Sequence, residues 1–235
     1  MKTLILVPIW RRPEITNIFA INLAVSIPST CEVLCILSKE DEYYKENLKI
    51  LEPFGFSIGH HKNTPVGSKL NAGIETALEN FDFDYLMNLG SDDLIHPGIW
   101  MLYNEFLKFN LPFFGLEKVY FYEVKTGKLA RSLPYYWGAG RMISRKIIEK
   151  MREKREYLYK NEFSRGLDCN SMDNIKKVLN IDYKQIDTND FPYLVDLKTW
   201  DSVNDFNMFS RQYEIVQSDI LESYYPKIIT DLLHG

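Results

Sequence analysis

The first 110 residues alternate short apolar runs with segments of helical periodicity, and no other feature constrains the fold as strongly. Residues 4–7 and 33–37 are continuously apolar, as in strands that are buried on both faces of a parallel sheet. The same criteria predict further strands at 56–60 and 84–89, and helices from Pro13, residues 38–41, Gly67 and Pro97. The alternation predicts an α/β fold in which a mixed, mostly parallel sheet is flanked by helices.

The second half of the chain mixes strand and helix signals. Aromatic and β-branched residues cluster around Thr126 and Gly127, which predict a hairpin turn. Helices are predicted at 144–158 and 171–179, strands at 183–186 and 193–197, and helical packing at 215–233. A length of 235 residues favours one domain, with a sheet-forming half at 1–110, an α+β half at 111–200 and a C-terminal helical cover at 201–235.

Charge and cysteine content exclude several classes of protein. The net charge of −4 argues against general nucleic-acid binding, which needs a concentrated positive surface. No run approaches the roughly 20 apolar residues of a membrane span. The cysteines Cys31, Cys35 and Cys169 have neither paired nor zinc-binding spacing. We therefore expect reduced cysteines in a cytoplasmic protein.

Residues 141–160 carry a local positive excess, with eight Lys or Arg against three Glu. Two interpretations stay open. The run is either the solvated face of a helix or a peripheral contact with an anionic membrane surface or an anionic acceptor.

Two adjacent carboxylates, Asp92 and Asp93, follow the predicted strand at 84–89. Like charges side by side repel unless a cation or hydrogen-bond donors compensate, and Mg²⁺ or Mn²⁺ suits such hard oxygen ligands. The carboxyl ends of strands are also where ligands bind in open α/β sheets. The alternative is that the pair forms a turn or caps the next helix. His96 is either a further metal ligand or a capping or solvated histidine.

Several segments together resemble the GT-A glycosyltransferases, particularly the inverting family 2. LILVPIWRRP resembles the first strand and loop of that family, PVGSKLNAGIETA resembles its glycine-containing helix, and DYLMNLGSDDLIHP resembles its metal-binding motif. YYWGAGRMISRKIIEKM and GLDCNSMDNIKK resemble its acceptor-side segments. The resemblance covers most of the chain and implies a GT-A fold. It also implies a metal-dependent transfer of a sugar from a nucleotide diphosphate sugar to a saccharide, lipid-linked or protein acceptor.

The same resemblance implies roles for individual residues. Asp93 would coordinate the metal that bridges the diphosphate, and Asp92 would contact the metal or the donor ribose. Asp168 would be the general base that deprotonates the acceptor hydroxyl in a single displacement. Lys69 would supply positive charge near the diphosphate or the base. The other donor-binding residues implied are Pro8, Trp10, Glu40, Asp41 and Asn71.

Two positions depart from the family pattern. Gly90 stands where many members have the first acidic residue, and Leu167 stands where a glutamate usually precedes the position of Asp168. Asp173 is therefore an alternative base. A degenerate domain with a binding or assembly role and a nucleotidyltransferase both stay open, although no glycine-rich phosphate loop follows the first strand.

Several aromatic residues have both a functional and a structural interpretation, and two further histidines have no functional interpretation. Tyr135, Tyr136 and Trp137 either stack on a sugar face or pack in the core. His60 and His61 are expected to be structural or exposed.

Overall fold

A seven-stranded mixed sheet is the main element of the structure, a computed structural model that describes residues 1–199, 206, 213–217 and 219–234. Across the sheet its strands are β10 (Lys184–Ile186), β6 (Phe113–Leu116), β9 (Arg141–Ser144), β4 (Tyr85–Asn88), β1 (Thr3–Pro8), β2 (Cys31–Leu37) and β3 (Ser57–His60). β1 is parallel to both β2 and β4, and β2 is parallel to β3, whereas β9 is antiparallel to β4 and β6. The predicted mixed sheet with a mostly parallel N-terminal half is confirmed.

Helices cover both faces of this sheet. On one face lie α1 (Pro13–Ser26), α2 (Tyr44–Leu51) and α4 (Ile99–Leu107), and on the other lie α3 (Val66–Asn80), α5 (Arg145–Glu153) and α6 (Leu167–Leu179). The alternation of side chains along β1 explains this arrangement, because Ile5 and Val7 belong to the first core and Leu4 and Leu6 to the second. Within the described ranges, no helix is both long and apolar enough to span a membrane.

A second, five-stranded sheet contains Asp93, with Asp92 in the turn directly before it. Its strands are β12 (Glu214–Val216), β8 (Lys128–Arg131), β7 (Tyr120–Glu123), β11 (Leu194–Lys198) and β5 (Asp93–Ile95). β7 and β8 form the hairpin predicted at Thr126 and Gly127, with Gly127 in the left-handed conformation at φ 69°. β5 and β11 are antiparallel, and their register places Asp93 opposite Asp196.

The structure differs from the sequence prediction in several places. β6 was not predicted, and α6 begins at Leu167, four residues before the predicted helix. The helix predicted at 144–158 ends at Glu153, because Arg155 takes a left-handed conformation at φ 58°. The three-residue strand β5 was not predicted, since so short a run carries no periodicity of its own. The predicted helical packing at 215–233 begins instead with β12 and continues with α7 (Asp219–Tyr224) and α8 (Lys227–His234). Of the predicted C-terminal cover, residues 201–205, 207–212, 218 and 235 lie outside the described residues.

Candidate functional site

A cavity of about 220 Å³ lies where β1 and β4 reach their carboxyl ends. Its walls come from Pro8, residues 88–90, 92 and 93 after β4, residues 137–139 before β9, and residues 167 and 168 at the start of α6. Asp196 and Lys198 of β11 also line it. Ligands of open α/β sheets bind at this edge, so the position of the cavity is that of a functional site.

Three carboxylates meet in this cavity. Asp92, Asp93 and Asp196 each offer an oxygen, and these oxygens all lie within 4.8 Å of one another. Asp93 Oδ2 accepts a hydrogen bond from the backbone N–H of Gly90 at 2.5 Å. Asp196 Oδ1 is buried and has no hydrogen-bond partner among the residues that the structure describes. A buried carboxylate oxygen of this kind is costly unless a cation or donor completes its contacts.

Two protein cations contact this cluster. Arg12 Nη1 lies 2.9 Å from Asp92 Oδ2, and Lys198 Nζ lies 2.5 Å from Asp196 Oδ2. Burial disfavours the charge of Lys198, but Asp196 and Asp92 outweigh it and raise the pKa of the lysine. Burial likewise opposes ionisation of Asp92, but Arg12 and Lys198 lower the pKa of that carboxyl below its ordinary value.

The other two carboxyls are held against ionisation. Burial, followed by the charges of Asp196 and Asp92, raises the pKa of Asp93 well above its ordinary value. Burial and the charge of Asp92 raise the pKa of Asp196 to about 6, despite the opposing effect of Lys198. Full ionisation of all three carboxyls is therefore unfavourable in the protein alone, and a bound divalent cation would favour it.

Gly90 has a steric explanation. A Cβ at this position would lie 2.5 Å from Asp92 Oδ1 and 3.1 Å from Asp93 Oδ2. Any side chain here would displace the two carboxylates. The glycine that departs from the family pattern thus allows both of them to approach the same point.

Asp168 lies in the first turn of α6, and its side chain lines the same cavity. A Cβ at Gly138 would collide with Asp168 Oδ1, so the glycine leaves room for this carboxylate. Among the described residues, none donates a hydrogen bond to the Asp168 carboxylate, whereas its backbone carbonyl accepts bonds from Arg141 and Ser171. Asp173 is exposed on α6 and does not line the cavity.

Arg141 is fully buried and connects the start of α6 to the segment before β9. Its Nη1 donates to Asp168 O at 2.8 Å and to Ser171 Oγ at 2.6 Å. Its Nη2 donates to Tyr136 O at 3.0 Å and to Trp137 O at 3.1 Å. Arg141 therefore holds together two of the walls of the cavity, and it is not part of an exposed basic face.

A second group of predicted residues lies beside the carboxyl ends of β1 and β2. Lys69 is fully buried, and its Nζ donates to Ile9 O at 2.6 Å, Ser38 Oγ at 2.9 Å and Asn63 Oδ1 at 3.0 Å. Burial lowers the pKa of Lys69 to about 8, although Glu40 and Asp41 act in the opposite direction. Lys69 Nζ also lies 5.9 Å from the centre of the Trp10 ring.

The two acidic residues of this second group have different surroundings. Asp41 is buried, and its Oδ2 accepts from the backbone N–H of Arg11 at 2.6 Å. Glu40 is exposed, and its Oε1 accepts from the backbone N–H of Asn63 at 2.8 Å. Asp41 is thus fixed against the loop that follows β1, where Trp10 also lies.

Asn71 is placed away from the cavity. Its Nδ2 donates to Tyr159 O at 2.7 Å and to Asn161 Oδ1 at 2.8 Å, and its Oδ1 accepts from the backbone N–H of Tyr159. Both ends of the amide are used to hold the segment around Tyr159 against α3. Any effect of Asn71 on a ligand would pass through that segment, because Tyr159 lines the cavity.

Histidines play no part in the acidic cluster. His96 Nδ1 accepts from the backbone N–H of Gly98 at 2.9 Å, and the ring packs edge-on against Phe191 at 4.8 Å between centroids. This matches the capping alternative. His60 contacts Tyr44, and the His61 ring bonds to Lys62 O.

Asp196, Lys198 and Arg12 were missed at the sequence level as site residues. A signal was present for the first two, because both are charged residues in the otherwise apolar strand segment YLVDLK. Charged side chains within an apolar strand are rarely buried without a partner. Arg12 sits one residue before the helix that Pro13 begins, and nothing local points to its contact with Asp92.

Neither a protein family nor a curated protein matches the sequence. Solved structures do match. Residues 1–349 of S. aureus TarS superpose with a TM-score of 0.60 at 13% identity, over 84% of this chain and 60% of that one. The complex of the same fragment with UDP-GlcNAc gives a TM-score of 0.59 at 14% identity, over 86% of this chain and 60% of that one.

A longer TarS structure matches with a TM-score of 0.60 at 12% identity, over 84% of this chain and 37% of that one. The chain thus spans about 60% of the length of the TarS fragment. At such identities the likeness shows the fold alone. That fold is the GT-A fold of glycosyltransferases, as the sequence motifs predicted.

Proposed function

We propose that this chain, which has the GT-A fold, transfers a sugar from a nucleoside diphosphate sugar, with UDP as the nucleotide, to an acceptor hydroxyl. The observation that carries the proposal is the cavity at the carboxyl ends of β1 and β4, where a three-carboxylate cluster and the separate carboxylate of Asp168 line one space. The TarS complexes with UDP-GlcNAc and UDP support the choice of donor.

The cluster fits a divalent metal ion. Asp92, Asp93 and Asp196 supply hard oxygen atoms within 4.8 Å of one another, and Asp196 Oδ1 has no other partner. Mg²⁺ and Mn²⁺ prefer such ligands. A bound ion would neutralise the diphosphate and stabilise its charge as it leaves. The predicted role of Asp93 as a metal ligand extends in this proposal to Asp196.

Positive side chains of the protein add to this effect. Lys198 lines the cavity, and Arg12 contacts Asp92 at its edge. Negative charge grows on the diphosphate oxygen as the sugar leaves, and fixed cations in a buried site stabilise that charge. We assign Lys198 and Arg12 to this role.

Asp168 is the proposed general base. Its carboxylate accepts no hydrogen bond from the described residues, so its lone pairs are available to the acceptor hydroxyl. The hydroxyl proton moves to Asp168 while the acceptor oxygen bonds to the anomeric carbon and the bond from that carbon to the diphosphate breaks. A single displacement of this kind inverts the configuration of the anomeric carbon.

The second group of residues is assigned to the nucleotide. Trp10, Asp41 and Lys69 lie together beside the ends of β1 and β2 and are connected to the cavity through Pro8. The Trp10 ring offers stacking and the Asp41 carboxylate offers hydrogen bonds to a base. Lys69 contributes positive charge, because all three Nζ donors are already used within the protein. Glu40 lies at the exposed border of this group.

The acceptor is a saccharide, a lipid-linked sugar or a protein. A peripheral contact with an anionic membrane through residues 141–160 stays part of the proposal in a reduced form. Arg141 is buried, so only the exposed cations of this run would take part: Lys146, Lys150, Arg152, Lys154, Arg155 and Lys160.

Asp93→Asn is expected to remove the contribution of Mn²⁺ to UDP binding. The change removes a proposed metal ligand. Loss of a residue that only orients a metal ligand typically costs about 10- to 100-fold in metal affinity, so loss of the ligand itself should cost at least as much. Calorimetric titration of UDP with and without Mn²⁺ measures the effect. Asp231→Asn, an exposed site on α8, is the control. Equal metal dependence in wild type and Asp93→Asn, with both proteins folded, would exclude Asp93 as a ligand.

A further inference from the structure

Two residues that line the cavity each have a buried side-chain polar atom with no hydrogen-bond partner among the described residues. The two atoms are Trp137 Nε1, which can only donate, and Asn88 Oδ1, which can only accept. Neither belongs to the carboxylate cluster. Buried polar atoms are nearly always paired in folded proteins, and an unpaired one in a cavity is explained when a ligand supplies the partner.

Both side chains are held where they are. The Trp137 ring packs against Phe121 at 5.4 Å and Tyr135 at 5.0 Å between centroids, and its backbone carbonyl accepts from Arg141. Asn88 Nδ2 donates to Tyr159 Oη at 2.6 Å, and the Asn88 carbonyl accepts from Gly140 N at 2.8 Å. These contacts hold the Trp137 ring and the Asn88 side chain in place at the cavity.

The chemistry of the cavity between them indicates the kind of group that fits. Val119, Phe121 and Ala139 make part of its lining apolar, whereas Asp168 and the carboxylate cluster make another part acidic. A sugar ring presents apolar C–H faces together with hydroxyl groups that both donate and accept hydrogen bonds. A hydroxyl group satisfies either orphan atom.

We propose that Trp137 Nε1 and Asn88 Oδ1 recognise hydroxyl groups of the transferred sugar and so determine which sugar is accepted. This inference rests on the proposed function and goes beyond it, because it assigns recognition of the sugar to two residues outside the metal cluster. These hydrogen bonds are made to the sugar and not to the nucleotide, so the affinity for UDP alone does not depend on them. Sites that hydrogen-bond a substrate hydroxyl also reject analogues that lack it.

The test compares the binding of UDP with that of four UDP sugars, those of glucose, galactose, N-acetylglucosamine and N-acetylgalactosamine, in the presence of Mn²⁺. For the sugar that wild type binds most tightly, Trp137→Phe and Asn88→Leu should each weaken binding by about 3- to 10-fold, the equivalent of one neutral hydrogen bond. Their affinity for UDP should stay within about twofold of wild type. Trp100→Phe is the matched control, since Trp100 Nε1 donates to Ser26 O and does not line the cavity.

The outcomes separate this inference from the proposed function. If wild type binds UDP and a UDP sugar, and neither variant changes the ratio of the two affinities, the sugar-reading role is wrong while the donor site stands. Equal weakening of UDP and UDP-sugar binding in both variants would also overturn the role, because it would show a general disturbance of the site. If wild type binds neither UDP nor any of the four UDP sugars, the proposed function fails and this inference fails with it.

Discussion

Asp168→Asn is expected to lower the rate of sugar transfer by about 10²- to 10⁴-fold, the usual contribution of a positioned general base. The amide keeps the shape of the side chain in the space that Gly138 leaves, but it cannot take a proton from the acceptor. Donor and metal binding should stay near wild type, because the base acts only as the transition state forms. Steady-state transfer kinetics, together with calorimetric UDP binding, measure both quantities.

Asp173→Asn is the internal control for this prediction. Asp173 lies on the same helix, but it is exposed and outside the cavity. Its change should therefore leave the transfer rate near wild type. Greater damage from Asp173→Asn than from Asp168→Asn would show that the base is misassigned. If neither change affects the rate, no carboxylate of α6 acts as the base.

Arg141→Met is expected to lower the free energy of unfolding by about 3 kcal/mol or more, because hydrogen bonds to charged groups each contribute roughly 1.5–3 kcal/mol and these four share one donor group. Methionine keeps much of the aliphatic volume. However, it leaves the carbonyls of Tyr136 and Trp137 without their donor and removes one of the two donors to the Asp168 carbonyl. Urea denaturation followed by circular dichroism measures the change.

Arg152→Met is the matched control for Arg141→Met. Arg152 is an exposed residue of α5, and its side chain is 54% accessible beside Glu75. Its loss should change the free energy of unfolding by no more than about 0.5 kcal/mol. If Arg141→Met costs no more than this control, the buried guanidinium does not hold the walls of the cavity together.

The parallel part of the main sheet, β1 to β4, could be predicted from the sequence because each of its strands has a local signal. β1 and β2 contain unbroken apolar runs at residues 4–7 and 33–37, and the turn residues beside them mark their ends. The acidic pair could be located for a related reason, since Asp92 and Asp93 directly follow β4 and the carboxyl edge of such a sheet is a ligand site. The first prediction rests on local apolar patterns, and the second rests on the position of the acidic pair after a strand.

The completion of the cluster depends on long-range pairing, which no local pattern records. Asp196 reaches Asp93 only because β11 pairs with β5, a strand of three residues. The burial of Arg141 is a second feature that no local pattern in the sequence indicates. The number of charged residues suggests that it belongs to a basic surface run. In the structure it is buried at the start of β9, where it donates to four acceptors. Charge content cannot distinguish an exposed cation from a buried one.

Turnover of UDP sugars tests the central claim most directly. Wild-type protein incubated with Mn²⁺, an acceptor mixture and each of the four UDP sugars should release UDP from at least one of them. Asp93→Asn and Asp168→Asn should release it far more slowly, while Asp231→Asn should match wild type. Release of UDP at the same rate by wild type and Asp93→Asn, or from no UDP sugar by any of the proteins, would contradict the account.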